Sequence, residues 1–284
     1  MNSDPVILAL ETATLGGSVF LGRGNVQLAT RLGDPKVSHS NSLLSDIAGT
    51  LEEAGLALQD VELLACASGP GSFTGLRIGV ATLKALAATL GKPCVGVSTL
   101  AAVAHAAGPA RVTVALLPAG RGELFSQMFS VSADGRVKEL DAAAHVSPQA
   151  LAEKYGQLED VTWAGTGAHT QRDFLQALAQ ERGVAFHETT SAYSSWGGES
   201  LGPRASRPPA GLSSPPSKDM SSPPLRAGRP RSQGWKLAPE IDNLASHVGA
   251  LALQSFHSGA TQSAHTLTAV YVRPSDAELN QRCL

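Results

Sequence analysis

Aromatic side chains make up only 5% of the 284 residues, so the core of this chain must rest on aliphatic packing. An excess of one charge is also missing. Lys and Arg number 22 against 24 Asp and Glu, a formal net charge of −2. That balance excludes a chain-wide attraction to nucleic acid and leaves any RNA contact to a local patch or a partner. Cysteine is scarce: Cys66 and Cys94 lie in apolar runs, Cys283 is next to last, and none has paired spacing. Reduced thiols and a cytoplasmic protein are expected. The chain opens on Asp4 and Pro5 rather than a basic segment with a long apolar core, so no signal peptide is expected. No apolar run approaches the ~20 residues of a membrane span.

Complete catalytic motifs are absent too. Among His39, His105, His145, His169, His187, His247, His257 and His265, no pair has the i, i+4 spacing of a helical metal site. Ser72 is not in a G-x-S-x-G elbow, which argues against a serine hydrolase. Glu11 ends an apolar strand beside Thr12 and Thr14, where a carboxylate either holds a metal through water or caps the turn. Gly120-Arg121-Gly122-Glu123 reads as a polar turn between strands, with Arg121 open to a ligand, a partner or solvent.

What is present is a glycine-rich turn. Gly69-Pro70-Gly71-Ser72-Phe73-Thr74-Gly75-Leu76-Arg77 follows an apolar strand, Val61–Ser68, and precedes a helix-forming run to Leu90. Its glycines let the backbone turn tightly, and Ser72 or Thr74 is suited to cap the helix. Neither the Walker pattern nor G-x-G-x-x-G is met, because Thr74 stands where each needs glycine. Locally, a phosphate cradle and a helix-entry turn without ligand remain equal readings.

Around this turn the chain alternates strands and helices. Val6–Leu10, Ser18–Leu21 and Val26–Leu32 form a meander. Ser40–Ala54 carries Leu43, Leu44, Ile47, Ala48, Leu51 and Ala54 at helical spacing before Gly55. The Val61–Ser68 strand, the helix from Gly75 to Leu90, strand Pro93–Val97 and a helix from Ser98 to Ala107 complete an N-terminal lobe, 1–107. Gly108-Pro109 marks the boundary to a C-terminal lobe, 108–284. There, strands at Val112–Leu117, Glu123–Val131, Arg136–Leu140, Val161–Ala164 and Val184–His187 alternate with helices at Pro148–Tyr155 and Phe174–Arg182. Residues 192–234 are rich in Pro and Ser, have no hydrophobic periodicity, and are expected to be a disordered insertion. They are read as a solvated loop, with a basic RNA-touching arm through Arg204, Arg207, Arg226, Arg229 and Arg231 as the alternative. Order is expected to resume at Ile241 with a helix, then a last strand, Leu267–Val272.

Several segments together resemble the TsaB (YeaZ) family of tRNA threonylcarbamoyladenosine biosynthesis proteins. They are Leu8–Thr14, His39-Ser40, Gly69–Gly79, Gly96-Val97-Ser98-Thr99-Leu100, Gly120–Glu123 and Ala269–Arg273. The resemblance covers roughly 5–190 and 237–275. It implies an α/β, two-lobe actin/Hsp70/sugar-kinase-like (ASKHA) fold, each lobe a mixed sheet flanked by helices. It also implies a non-catalytic scaffold that binds the TsaD transferase through the two N-lobe helices and is joined by the TsaE ATPase. tRNA is then met through the complex, a homodimer stays open, and no membrane is involved. No cofactor is expected on this chain alone, with ATP and a divalent metal on the partner subunits. Leu43, Ile47, Leu51, Leu76, Val80 and Leu83 are the expected partner-facing residues. The chain departs from the family at Glu11 (commonly Asp), and at Pro118 and Gly120, where an Asp-Ala-Arg turn is usual. The alternative reading is a catalytically active ASKHA transferase or kinase using Glu11 and the Gly69–Gly75 turn around a nucleotide.

Overall fold

The opening meander consists of β1 (Val6–Glu11), β2 (Ser18–Arg23) and β3 (Val26–Leu32). Every β1 residue is buried, because helices cover one face of its sheet and helices shared with the second lobe cover the other. The structure is a computed structural model that describes residues 4–190, 193–194, 196 and 234–272. Leu43, Ile47, Thr50 and Leu51 return to one buried face of α1 (His39–Ala54), and Gly55, at φ 64, ends it. Then come β4 (Leu63–Gly69), α2 (Phe73–Leu90), β5 (Cys94–Ser98) and α3 (Thr99–Ala106). The first sheet runs β3-β2-β1-β4-β5, antiparallel through the meander and parallel from β1 to β5.

The second half holds β6 (Ala110–Gly120), β7 (Glu123–Val131), β8 (Val137–Glu139), β9 (Ala144–Val146) and α4 (Pro148–Tyr155). After these follow β10 (Val161–Ala164), α5 (Thr166–Thr170), α6 (Arg172–Glu181), β11 (Phe186–Glu188), β12 (Trp235–Leu237) and α7 (Leu244–His257). Read as β8-β7-β6-β10-β12, the second sheet repeats the order and strand senses of the first, with β11 added outside β12 and β9 on β7. The duplicated architecture is therefore visible in topology where no sequence repeat marks it. α3 and α7 lie between the sheets: α7 packs on β1, β2, β4 and β5, and α3 on α7, β6 and β7. One apolar cluster runs through both helices and both sheets, from Ile7 and Phe20 to Leu117 and Phe129.

Three expectations need correction. Order resumes before Ile241, since β12 pairs in parallel with β10 and β11. The segment Leu267–Val272 is not a strand. Beyond α7 the chain instead forms a strap along the N-terminal lobe. Gln262 makes a two-way backbone bridge with Cys94, Leu267 is buried against the first sheet, and Val270 N donates to Ser68 O at 2.7 Å. Lys84 Nζ on α2 donates to Leu267 O at 3.0 Å. Finally, α2 does have the length and composition of a membrane span, with mean hydropathy 1.3 over 18 residues. Its leucines, Ile78 and Val80 carry most of that value, and of these Leu76, Val80 and Leu83 pack on the sheet, while Arg77 lies exposed.

Most of 192–234 lies outside the described residues. Tyr193 and Trp196 at its head are described and packed. The Trp196 ring lies 4.5 Å from that of Phe20, and its Nε1 donates to Ser246 O at 2.9 Å.

Candidate functional site

The β1–β2 turn and the first turn of α2 meet at the C-terminal ends of β1 and β4. Ser72 caps α2, its Oγ accepting from Gly75 N at 3.2 Å, while Ser72 N donates to Ala13 O at 2.8 Å. Thr12 Oγ1 donates to Gly75 O at 2.8 Å. The glycines here are required by close approach. A Cβ on Gly75 would stand 1.9 Å from Thr12 O, and one on Gly79 would stand 2.2 Å from Thr12 Oγ1. The turn is thus spent on docking α2 against the end of β1. Gly69, at φ 120, faces Val270 O of the strap, where a Cβ would meet that oxygen at 2.3 Å.

Glu11 is fully buried in the same place. Its carboxylate accepts from Thr14 N at 2.8 Å and from Thr14 Oγ1 at 2.6 Å, so it caps the turn. Burial raises its pKa above the ordinary value, opposed by the Thr14 hydrogen bonds and by nearby His39. His39, the first residue of α1, sets Nε2 3.1 Å from Thr14 O. Beyond these groups lies a cleft of about 720 Å³. Glu11, His39, Ser72 and Ile78 line its N-terminal side, and Leu117, Pro118 and Thr166 its other wall. A kinase-like cleft invites a test for a magnesium–nucleotide. On the N-terminal side the Ser72 and Gly75 amides are taken by internal acceptors, and both Glu11 oxygens are engaged by Thr14.

A sequence model for TsaD, tRNA N6-adenosine threonylcarbamoyltransferase, matches residues 35–194. The TsaB protein of Escherichia coli K12, a tRNA threonylcarbamoyladenosine biosynthesis protein, is 33% identical over 189 residues, covering 64% of this chain and 78% of that protein. The chain belongs to the TsaB family. A tRNA N6-adenosine threonylcarbamoyltransferase of Chelativorans is 43% identical over 61 residues, 22% of this chain and 17% of that protein. Among solved structures, a Pseudomonas aeruginosa protein described as similar to the peptidase YeaZ superposes with TM-score 0.64 at 22% identity. It covers 95% of this chain and all of that one. That likeness shows the fold, two-lobed and ASKHA-like.

Within this chain the six apolar residues expected to face a partner all turn inward. Leu43, Ile47, Leu51, Leu76, Val80 and Leu83 are each at most 7% exposed. The helical spacing that singled them out is the spacing of the core stripe, because a covering helix turns its most regular apolar face to the sheet. The outer face carries other residues: Leu44, 67% exposed, with Ala48 on α1, and Ala81, Ala85 and Ala88 on α2. Arg77 lies over the Phe73 ring at 4.0 Å, and Phe73 touches Tyr271 of the strap with ring centres 5.0 Å apart. In the second lobe, Gly120-Arg121-Gly122 forms the β6–β7 hairpin turn, all three residues at positive φ. Cys66 and Cys94 are buried free thiols, the first pushed up to about 12 by burial.

One pair escaped sequence reasoning. His105 of α3 and His247 of α7 bring their Nδ1 atoms to 2.9 Å inside the protein. One ring must donate and the other accept, so at most one of them can carry a charge. Burial lowers their pKa values to about 4 and about 3. No spacing rule joins residues that far apart in the chain.

Proposed function

We propose that this chain is a non-catalytic subunit of tRNA threonylcarbamoyladenosine biosynthesis, supporting a TsaD-like transferase through the outer faces of α1 and α2. The kinship with E. coli TsaB carries the assignment to the pathway. The inward-turned amides of the glycine-rich turn support a supporting rather than a chemical role. On this reading ATP and a divalent metal belong to partner subunits, a TsaE-like ATPase joins the pair, and tRNA is met through the assembled complex. Two helix pairs packed face to face would bury a standard interface of about 1,600 Å². Leu44, Ala48, Ala81 and Ala85 are the exposed apolar contacts available for it.

The experiment is to deplete the gene and measure threonylcarbamoyladenosine in total tRNA by mass spectrometry. The modification should fall, and the wild-type gene should restore it. A level that stays unchanged after depletion refutes the assignment. For the non-catalytic part, calorimetry of the isolated chain with ATP and magnesium should give no heat of binding; micromolar affinity would refute it.

A further inference from the structure

A second cavity, of about 510 Å³, is bounded by α3, α7 and the turn between β7 and β8, and it shares no lining residue with the cleft. Tyr193, Trp196, Ala250 and Leu253 give it an aromatic and aliphatic body. Its inner end is polar. His105 is fully buried, its Nδ1 is taken by His247, and its Nε2 has no hydrogen-bond partner among the described residues. The Tyr193 ring stands edge-on to that of His105, with centres 5.5 Å apart. Gly135, in the β7–β8 turn at φ 77, keeps the space between these groups open. A Cβ there would lie 3.1 Å from Tyr193 Oη, 3.2 Å from His105 Nε2 and 3.7 Å from Gln254 Nε2. Polar groups from three separate segments thus converge over one glycine. Gln254 spends one amide hydrogen on Gly135 O at 3.2 Å, which leaves its other hydrogen and its Oε1.

A single water occupies about 30 Å³ and would leave most of this cavity unfilled. Its volume is that of a small-molecule site. Each group at the inner end is able either to donate or to accept. The histidine pair shows how: when His105 Nδ1 donates to His247, His105 Nε2 is an acceptor, and when His247 donates, His105 Nε2 carries the hydrogen. An ion at that end would lose its hydration with no opposite charge beside it. The rim offers little compensation, since Asp134 is already paired with Arg136 at 3.0 Å and His257 lies exposed to solvent. The complement of such a site is a flat, neutral group with donors and acceptors side by side along one edge. From this geometry we infer a binding site for a nucleobase, its edge against His105, Tyr193 and Gln254 and its ring among Tyr193 and Trp196. A glutamine amide pairs with a base edge through two hydrogen bonds, and aromatic side chains take the base face. The base is supplied by a free nucleoside or by an unpaired residue of an RNA; the edge recognised is the same.

The test is isothermal titration of the full chain with adenosine, guanosine, cytidine and uridine, and with a trinucleotide of each base, with circular dichroism as the check on folding. At least one of them should bind with a Kd of about 1 mM or tighter. Binding of the nucleoside assigns the free compound as the source, and binding of the trinucleotide alone assigns RNA. Gly135→Ala puts a methyl group into the space between Tyr193 and His105 and should abolish binding. Gly259→Ala is its matched control: that glycine has φ 74 and nothing within 4 Å of a Cβ, so the backbone strain is alike and binding should stay at the wild-type level. Tyr193→Phe and Gln254→Leu should each weaken binding about tenfold by removing one hydrogen-bonding group. If Gly135→Ala does not fold, Tyr193→Phe decides. Unchanged affinity in Gly135→Ala and Tyr193→Phe would put the ligand elsewhere and overturn the assignment. Equal binding of ribose or of inorganic phosphate would overturn the reading of a neutral base edge. Absence of binding by every nucleoside and trinucleotide up to about 5 mM would overturn the site itself.

Discussion

Replacing Gly75 by alanine tests whether the glycine-rich turn exists to dock a helix. The new Cβ would lie 1.9 Å from the Thr12 carbonyl oxygen, where ordinary contact begins near 3.4 Å, so α2 and the end of β1 must part by about 1.5 Å. Neither atom is the end of a flexible side chain. Overpacking of this kind costs about 1–3 kcal/mol. Separation also stretches the 2.8 Å bond from Thr12 Oγ1 to Gly75 O, which adds about 1 kcal/mol. The better helix propensity of alanine returns up to about 1 kcal/mol. The expected net loss is about 2 kcal/mol, or roughly 4–8 °C in Tm for a chain of this size. Urea and thermal unfolding followed by circular dichroism measure it. Gly91→Ala at the other end of α2 is the control: nothing lies within 4 Å of its Cβ, and only its left-handed φ of 63 counts against it, at about 1 kcal/mol. If Gly75→Ala is no worse than that control, the turn does not hold α2 against β1, and the account of its glycines is refuted.

Two further outcomes follow from buried groups. His105 and His247 stay neutral in the folded protein down to about pH 4 and 3, whereas in the unfolded chain they take up protons below about 6.5. The unfolded state therefore binds more protons in the acid range. Their contribution to stability is complete above pH 6.5 and is lost as pH falls from there toward 4, at about 2 kcal/mol per histidine by pH 5. Urea unfolding at pH 7.5 and pH 5 should show this slope, and His105→Gln should flatten it; an unchanged slope in the variant removes the explanation. The second outcome concerns the Pro/Ser/Arg segment. A deletion of 195–232 takes Trp196 with it, while a deletion of 198–232 spares that ring and its contact with Phe20. The first should be less stable than the second by about 3 kcal/mol in urea unfolding. Equal stability would mean that Trp196 contributes nothing to the core.

What the sequence revealed and what it hid divide along the range of the interactions. α1 and α2 were legible because their signals are local: a helical stripe of leucines, a serine cap, and glycines at 55 and 91 that end them. The meander was legible for the same reason. The strand β12 was not, since three residues become a strand only when β10 and β11 offer edges to pair with. The run Leu267–Val272 looked like a strand by composition, yet it makes a single backbone contact with β4 at Ser68 and otherwise lies over α2 and the sheet. Inside the candidate site, the cap by Ser72 was foreseen, but the Glu11–Thr14 bonds needed the folded turn to decide between metal ligand and cap. Periodicity marks the side of each helix that packs on the sheet, so the six residues expected to face a partner are buried there. The outer side, with Leu44, Ala48, Ala81, Ala85 and Ala88, carries too weak an apolar signal to stand out in sequence.

The strap has a consequence for the order of synthesis. Leu267 fills a place in the first lobe's core, and Gln262 closes the open edge of β5, although both are made after every strand they join. While the ribosome is still building α7, the first lobe has an unpaired strand edge and a gap beneath α2. The lobe reaches its final form only once the tail of the chain has emerged and folded back across it. Completion of the first lobe is thereby tied to synthesis of the strap, and a nascent chain that lacks it has an unfinished lobe. A fragment holding the first lobe alone should need residues 260–272, supplied as a peptide or joined through a short linker ahead of β1, to recover the stability it has in the whole protein.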